Sequence, residues 1–385
     1  MGLENILIAG NGTAAEFIVP DYYESFSCKG PECKNSCCSG WEVTIPMKQY
    51  FLLQSMSAGK RAKTVMDKSF RLLPGAMPER YAEIVHDYET DDCLLHMKNG
   101  YCLLHFEFGE KMLPAVCRYY PRGIRSRMAY ECSLSNSCER TLELLFANNE
   151  SLTFKTATLA FAVEPVKDRG SNSEIDLYVR LRAFCFGILA DRRYPFSVRV
   201  MKMGKFLDSL ARDGSRNFDD IDIDWIPKAP NIDKTLVVMA HVANSCKDVW
   251  DSLSDYSGKA MSYFGEKQGM NEYEEAKRHL DSILPYNEIM FEKMLVNNLF
   301  FREFPYRKGF AGLDAEFVAF AGTYLFLRYL SLALMRDGSD IGDFVDIMAK
   351  VFRVVSHSAF ERNMIIFLRQ IDIERPESFQ DMIGF

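Results

Sequence analysis

The segment Phe317 to Met335 reads FVAFAGTYLFLRYLSLALM and is the most apolar stretch of the chain. It is long enough to span a bilayer as a helix. However, Arg328 lies inside it, and a charged residue near the middle of a span costs about 2.5–3.5 kcal/mol. Gly322, Thr323 and Ser331 dilute the segment further. The pattern therefore predicts a helix buried in the core of a folded domain rather than a membrane span.

Helical patterns continue on both sides of this segment. Pro195 is placed to open one helix and Asp314 to cap another, while glycine and proline mark linkers near 212–217 and 225–230. The candidate helices lie near residues 138–149, 174–193, 195–212, 232–250, 270–282, 286–303, 314–336 and 340–371. The predicted fold class is therefore mainly α, with a helical C-terminal region following a small mixed α/β module.

Composition limits the classes of protein to consider. The chain has 385 residues, of which 48% are hydrophobic, so it can bury a sizeable core in two or three domains. Its net charge of −7 disfavours nonspecific nucleic-acid binding. The opening residues MGLENILIAG lack the basic region of a secretory signal, so we expect a cytoplasmic protein.

Residues 1–20 read as a short strand and an irregular lead-in. Gly10, Gly12 and Ala15 imitate a dinucleotide-binding fingerprint, G-x-G-x-x-A. That fingerprint needs a long helix next, and Pro20 would cut such a helix short. We therefore do not expect a nucleotide loop here.

Cysteine is concentrated in the first third of the chain. Nine of eleven cysteines fall between Cys28 and Cys138, and four of them lie in the segment CKGPECKNSCC. Disulfide frameworks belong to secreted chains, whereas thiolates in a reducing cytosol bind zinc or an iron–sulfur cluster. The sequence favours metal, with disulfides or inert buried thiols as the alternatives. Cys185 and Cys246 lie in helical segments and are expected to be small apolar residues.

The cysteine-rich module has its own predicted elements. Residues 41–45 alternate like a strand, and helical patterns follow at 47–72 and 79–88, the second with Pro78 at its start. Residues 93–106 predict a hairpin around Asn99-Gly100.

That hairpin limits how its cysteines can cooperate. On a straight ribbon Met97 faces Cys102, and Cys93 lies on the same face as Cys102, roughly 13 Å away. This is too far for one zinc ion, so either the ribbon bends or the two cysteines serve different sites. His96 and His105 point to the opposite face and are expected to be structural.

Arginine is dense directly after Cys117. Guanidinium groups beside a thiolate-bound cluster would offset its charge or hold a carboxylate bidentately. A salt-bridged turn is the plain alternative. The residues concerned are Arg118, Arg122, Arg125 and Arg127.

Together, these motifs resemble the flagellin lysine-N-methylase family. The matching pattern is F-S-C-x4-C-x3-C-C-x-G-W, then D-C-x-L with a later G-x-C, then C-R-x-Y-P-R and S-L-x-x-S-C. It extends over residues 22–140 and continues weakly through NNLFFREFP (297–305) and RVVSH (353–357). The front half also resembles a broader class of cysteine-cluster proteins thought to chelate zinc or iron.

The resemblance implies methyl transfer from S-adenosylmethionine to flagellin lysines in the cytoplasm, with a [4Fe–4S] cluster or, alternatively, zinc. By resemblance, Arg118 and Arg122 are candidates to hold the donor or tune the cluster. Our preferred core of the site is Cys33, Cys37, Cys38 and Cys117. The cysteines that match the family motif are Cys28, Cys33, Cys37, Cys38, Cys93, Cys102, Cys117 and Cys138, whereas Cys132 does not match it.

We expect a lead-in segment at 1–20, the cysteine module at 21–140 and a helical domain at 141–385. The sequence does not identify a catalytic base; Asp91, Asp92 and Tyr119 are candidates only through their closeness to cysteines. The alternative function is a non-enzymatic zinc- or iron-chelating protein that shares only the cysteine module. A structural zinc module carrying a helical interaction domain is a third hypothesis.

Overall fold

The computed structural model describes residues 14–56, 59–161, 171–213, 217–266, 270–305 and 312–385. Across these ranges the chain is mainly helical, with two small sheets that precede residue 161. This confirms the predicted mainly helical fold. The glycines of the dinucleotide-like segment, Gly10 and Gly12, lie outside the described residues.

The elements are numbered here in chain order. The helices are α1 (Met47–Gln54), α2 (Lys60–Lys68), α3 (Leu103–Phe108), α4 (Ala115–Tyr119), α5 (Glu139–Phe146), α6 (Asn172–Ala190), α7 (Phe196–Asp213), α8 (Ile232–Val249), α9 (Asp251–Glu266), α10 (Met270–Ile283), α11 (Asn287–Phe301), α12 (Leu313–Leu334), α13 (Ile341–His357) and α14 (Phe360–Arg369). The strands are β1 (Ala14–Pro20), β2 (Thr44–Ile45), β3 (Phe70–Met77), β4 (Arg80–Ile84), β5 (Arg122–Arg125), β6 (Glu131–Leu134) and β7 (Phe154–Ala160).

Helix α12 lies at the centre of the helical region. Every residue from Ala315 to Ala333 is buried, and α7, α8, α9, α10 and α14 pack around it. By length and composition it could cross a membrane, yet 94% of its most apolar window is buried inside the fold. Its one internal arginine, Arg328, donates to the carbonyl oxygen of Phe385 at 2.6 Å. The prediction of a buried core helix is confirmed.

Two parts of the helical region differ from the prediction. Helix α9 was not predicted, and the expected helix at 340–371 divides into α13 and α14. The division occurs at Ser358, whose hydroxyl accepts the backbone N–H of Phe360 at 3.1 Å. Serine competes with the helical hydrogen bonds in this way and so favours helix ends.

The larger sheet draws on three distant parts of the sequence. Its order is β5-β6-β1-β7, in which β1 pairs parallel to β6 and antiparallel to β7. Strand β7 was not predicted. The sheet therefore joins the lead-in segment, the end of the cysteine module and the start of the helical region.

Buried polar contacts fix this sheet to the helices. Arg182 of α6 pairs with Glu131 of β6, and Tyr178 donates to the same carboxylate at 3.1 Å. On α11, Asn297 donates to the carbonyl oxygen of Leu134 at 2.8 Å and accepts from Tyr22 at 2.6 Å. Since buried polar groups are costly unless paired, these contacts specify one docking position.

The smaller sheet corrects two predictions about the module. Its order is β2-β4-β3. The predicted helix at 79–88 is therefore wrong, because β4 lies in this segment. The predicted helix at 47–72 is divided: α1 ends at Gln54, α2 follows it, and β3 then begins. Pro78 does not open a helix; with Glu79 it forms the tight turn between paired Met77 and Arg80. Proline suits such a turn because its φ is already fixed.

Candidate metal centre

The Asn99-Gly100 turn is present, but the hairpin around it is short. Gly100 has a φ of +82° and donates to the carbonyl oxygen of Met97 at 2.8 Å. The predicted second strand is wrong, because the chain enters α3 at Leu103. Cys102 pairs with His96 rather than with Met97, so the register also differs from the prediction.

The short hairpin brings Cys93 towards Cys102. The His96 N–H donates to the carbonyl oxygen of Cys93 at 2.8 Å, which closes a turn directly after that cysteine. The straight ribbon on which a separation of roughly 13 Å was predicted is therefore not formed. Whether Cys93 and Cys102 serve one site or two stays a prediction.

Cys93 also meets the first cysteine segment. Its N–H donates to the carbonyl oxygen of Cys38 at 2.7 Å. Burial is the main cause that raises the pKa of the Cys93 thiol to about 12. The charges of Cys38 and Cys102 contribute to this shift, and the N–H of Leu95 opposes it. Removing that proton would require a positive partner, which a metal ion provides.

Cys117 projects from α4 towards the same group. Burial is the main cause that raises its pKa, followed by the charges of Cys38, Cys102 and Cys93. Solvent nevertheless reaches this residue.

A second group of cysteines gathers at the start of α5. Cys138 caps that helix, and the next residue, Glu139, is buried. Glu139 accepts the backbone N–H of Lys34 at 3.3 Å and that of Asn35. These two donors directly follow Cys33, so the segment containing Cys33 is held against Cys138.

Lys29 strengthens the same attachment. Its ammonium group bonds to Glu139 at 3.2 Å and to Glu143 at 2.6 Å. Beside it, the Cys28 sulfur accepts the N–H of Gly30 at 3.3 Å. Burial raises the pKa of Cys33 to about 12, with Glu139, Cys138 and Cys28 adding to the shift and Lys29 opposing it.

Cys37 and Cys38 connect the two groups. The side-chain interaction between Cys37 and Cys38 is the main cause that lowers the pKa of Cys38 and raises that of Cys37. The charges that act on Cys37 include both Cys117 and Cys28. That Cys33, Cys37, Cys38 and Cys117 form one core stays a prediction.

The donor set fits a soft metal, although it is not closed. Thiolates are the ligands of zinc and iron–sulfur centres. Within the described ranges, no three side chains of His, Cys, Asp or Glu converge closely enough to hold a metal ion. The thiols would therefore have to draw together on binding, as happens where metal binding and local folding are coupled.

The two predicted donor-binding arginines have different neighbours. The Nε of Arg118 is buried without a hydrogen-bond partner among the described residues, so its N–H can still donate to an oxygen of a ligand. Arg122 lies 5.3 Å over the ring of Phe26. It also faces Tyr23 and Cys132, and the Cys132 thiol donates to the Tyr23 hydroxyl at 3.4 Å. Cys132 is buried in the main hydrophobic core, and its exclusion from the motif set stays a prediction.

The candidate bases remain unassigned, because each has a structural role. Asp92 accepts a hydrogen bond from Ser39 and lies 3.8 Å from the ring of His96. Asp91 adopts a positive φ of 56° in an exposed turn. Tyr119 is buried with its ring edge-on to Phe161.

Sequence reasoning missed a contact from the far end of the chain. Arg353 of α13 donates to the carbonyl oxygens of Asn35 and Ser36, both at 2.7 Å, and to that of Ser39 at 2.9 Å. These carbonyls flank Cys37 and Cys38. The only signal was that Arg353 falls in the RVVSH segment of the family resemblance, to which no role was given.

One turn beyond Arg353, His357 belongs to an aromatic cluster behind the cysteines. Its ring lies edge-on to Trp41 at 4.9 Å, and Trp41 donates to the carbonyl oxygen of Cys37 at 2.8 Å. His357 Nε2 hydrogen-bonds to Ser137 at 2.9 Å, and Ser137 hydrogen-bonds to Tyr120 at 3.0 Å. Burial and then nearby guanidinium groups lower the pKa of His357 to about 3, so this imidazole is neutral.

A cavity of about 350 Å³ opens beside the Cys33–Cys138 group. Four carboxylates, two ammonium groups and three apolar side chains border it, so its wall combines aliphatic surface with net negative charge. The lining residues are Lys29, Glu32, Lys34, Glu139, Glu143, Phe146, Ile341, Gly342, Val345 and Asp346.

Comparisons with known proteins point to one family. Residues 182–378, about half of the chain, match the FliB lysine N-methylase C-terminal domain. Two lysine-N-methylases, from Salmonella typhimurium and Salmonella choleraesuis, are each 22% identical over 186 residues. Those alignments cover 42% of this chain and 45% of each relative, so the chain matches less than half the length of these relatives. No solved structure matches the chain.

Proposed function

The chain belongs to the FliB lysine N-methylase family, and from this premise we propose that it is a protein lysine N-methyltransferase acting on flagellin in the cytoplasm. The observation that carries the proposal is the coincidence of two independent signals. The family match lies in the helical region, whereas the thiol-rich centre lies in the preceding module, and Arg353 joins the two.

The proposed methyl donor is S-adenosylmethionine. The lysine nitrogen attacks the methyl carbon, the bond from that carbon to the sulfonium breaks, and S-adenosylhomocysteine leaves. Before the attack the substrate ammonium must lose a proton, which at pH 7 costs roughly 4–5 kcal/mol for a lysine with a pKa near 10.4.

The proposed cofactor is a [4Fe–4S] cluster, with zinc as the alternative. Its ligands would come from the motif cysteines, and when bound it would supply a Lewis-acidic metal for the polar groups of the donor. Arg118, with its buried free Nε, and Arg122 are the proposed partners of the donor's carboxylate. Guanidinium groups suit this role because they bind carboxylates bidentately.

The cavity is the proposed entrance for the substrate lysine. Phe146 and Val345 can pack against a lysine's methylene groups, and the carboxylates of Glu143 and Asp346 can attract its ammonium. Both carboxylates already pair with resident lysines: Glu143 with Lys29 and Asp346 with Lys34. The ammonium of an incoming lysine would therefore displace a resident lysine from its carboxylate rather than bind a carboxylate that has no partner.

The test is methylation of flagellin by anaerobically prepared, metal-loaded protein, read by mass spectrometry of flagellin lysines. We expect methylated lysines that depend on S-adenosylmethionine, and a several-fold lower rate at subsaturating flagellin for Asp346→Asn with unchanged metal content. Asp67→Asn, on α2, is the matched control because Asp67 is an exposed acid that does not line the cavity. Unmodified lysines with fully loaded protein would favour the metal-chelating alternative.

A further inference from the structure

We propose that the module presents a docking surface for an acidic protein segment that also carries apolar side chains. The surface consists of an aromatic trio, Tyr50, Phe51 and Tyr81, and of the free basic side chains around it. It lies on α1, α2 and the β3–β4 hairpin and shares no residue with the cavity. The inference goes beyond the proposed function, because it requires neither a metal nor methyl transfer.

The aromatic trio joins α1 to the smaller sheet. The ring centroids of Tyr50 and Tyr81 lie 5.4 Å apart, and the centroid of Phe51 lies 5.4 Å from that of Tyr50 and 5.7 Å from that of Tyr81. Both tyrosines also pack against the small hydrophobic core of the module, whereas 55% of Phe51 stays exposed. Because the tyrosines already hold the Phe51 ring in place, covering that ring would cost little conformational entropy.

Two more exposed apolar side chains extend this surface. Leu52 follows Phe51 on α1 and is 41% exposed. The N–H of Met47 donates to the carbonyl oxygen of Pro78 at 2.8 Å, which holds the β3–β4 turn against the start of α1. Met77, next to that turn, is 64% exposed. Exposed apolar patches mark interaction sites, and aromatic residues and methionine are enriched in protein interfaces.

The surface is positively charged within an acidic chain. Residues 47–80 contain seven lysines and arginines and two acidic residues, so they carry a net charge of +5, whereas the whole chain carries −7 and its remainder therefore −12. Four of the seven basic side chains are exposed and make no ion pair with any described residue. These four are Lys48, Lys60, Arg61 and Lys68.

Two of the free lysines lie at opposite ends of α1. Lys48 precedes Phe51 by three positions, so the two side chains are neighbours on one side of that helix. At the other end, the ammonium of Lys63 donates to the carbonyl oxygen of Gln54 at 3.0 Å, which brings α2 against the last residue of α1. Lys60 lies one turn before Lys63 on the same side of α2. Positive charge therefore flanks the exposed aromatic ring.

Charge complementarity selects the chemistry of the partner. Carboxylates of the partner would meet ammonium groups that lack an acidic neighbour, while its apolar side chains cover Phe51. A long nucleic acid or an anionic bilayer would extend beyond residues 47–80 and meet the acidic remainder of the chain, which repels it. A short acidic protein segment avoids this repulsion, because it can end where the basic surface ends.

Two variants test the apolar and the charged part of the surface. Phe51→Ser removes the exposed ring, and Lys48→Glu/Lys60→Glu reverses two free charges. Both lysines lie in the first turn of a helix, where an acidic side chain favours folding, so a loss of binding would not arise from unfolding. The matched controls change an exposed phenylalanine of α3 and two exposed lysines of the helical region: Phe106→Ser and Lys228→Glu/Lys247→Glu.

The measurement is fluorescence anisotropy of two labelled peptides of equal length, one of glutamate interspersed with leucine and one of glutamate alone, titrated with the chain. We expect the parent to bind the mixed peptide more tightly than the glutamate peptide, and added salt to weaken both complexes. Phe51→Ser should weaken binding of the mixed peptide several-fold and leave the glutamate peptide unaffected. Lys48→Glu/Lys60→Glu should weaken both several-fold, and the controls should match the parent.

Three results would overturn the inference. The first is equal affinity of the parent for the two peptides, or equal binding by the variants and their controls. The second is tighter binding of a DNA oligonucleotide or of phosphatidylserine-containing vesicles that is lost in the same variants, which would assign the surface to nucleic acid or a membrane. The third is a dimer of the parent, seen by sedimentation and lost in Phe51→Ser, which would assign it to a second copy. None of these measurements involves flagellin or methyl transfer, so failure of the proposed function would leave them readable.

Discussion

At the scale of single residues, the cysteine segments are held by groups that sequence spacing does not connect. Glu139 lies more than a hundred positions after Cys33, yet it bonds to the two N–H groups that follow that cysteine. His357 lies farther still, and it supports the cysteine segment from behind through Trp41. The imidazole of His357 is enclosed by other residues, so its ionisation is tied to folding.

The neutral state of His357 gives a prediction about pH. Its pKa is about 3 in the fold and near 6.5 in an unfolded chain. Between these values the unfolded chain binds a proton that the fold does not, so His357 favours the fold fully above about pH 6.5 and progressively less as the pH falls. We expect His357→Gln, which keeps hydrogen bonding without titrating, to weaken the acid dependence of stability.

The measurement is urea unfolding of the metal-free protein at pH 7 and pH 5. Between these values the parent should lose about 1–2 kcal/mol more of its free energy of unfolding than His357→Gln does. Equal losses in the two proteins would show that His357 is protonated in the fold. His105→Gln is the control, because His105 is exposed on α3.

At the scale of elements, periodicity predicted the helical region well and the module poorly. Long helices repeat their apolar spacing over many turns, so α6, α7, α8, α11 and α12 lie close to their predicted bounds. Strands β4 and β7 have only five and seven residues, and they are defined by partners elsewhere in the chain. The motif cysteines were identified from sequence, but their neighbourhoods were not, because tertiary contacts set them.

The crossing of α7 and α12 offers a matched pair of glycine substitutions. A Cβ at Gly204 would lie 2.5 Å from the ring of Phe317, whereas one at Gly187, within α6, would meet nothing within 4 Å. Gly204→Ala should therefore lower the free energy of unfolding by about 1–3 kcal/mol through overpacking. Gly187→Ala should raise it by about 0.5–1 kcal/mol, because alanine favours a helix over glycine.

Both values come from chemical denaturation of the two variants and the parent under one set of conditions. Gly187→Ala also serves as the control for Gly204→Ala, since it makes the same chemical change in an open position. A stabilised Gly204→Ala protein would mean that α7 and α12 separate easily, and that the tight contact at Phe317 does not define their crossing.

At the scale of the whole molecule, two kinds of connection bind the module to the helices. In the four-stranded sheet, β1 pairs with β7 and with β6, and hydrogen bonds fix β6 to α6 and α11. Arg353 makes the second connection, from α13 to the segment that carries Cys37 and Cys38. The first connection secures the fold. The second holds the cysteine segment, which makes the two connections separable by mutation.

Arg353→Ala should therefore loosen the metal centre without unfolding the helical region. The change removes three hydrogen bonds to the carbonyls of Asn35, Ser36 and Ser39, which no other described side chain is seen to satisfy. We expect several-fold weaker Co²⁺ binding and faster proteolysis between residues 28 and 40, with a nearly unchanged helical unfolding midpoint. Arg362→Ala, at an exposed position of α14, should change none of these quantities. If Arg353→Ala instead lowers the helical midpoint and leaves Co²⁺ affinity intact, then α13 supports the helical core and the cysteine segment holds its shape alone.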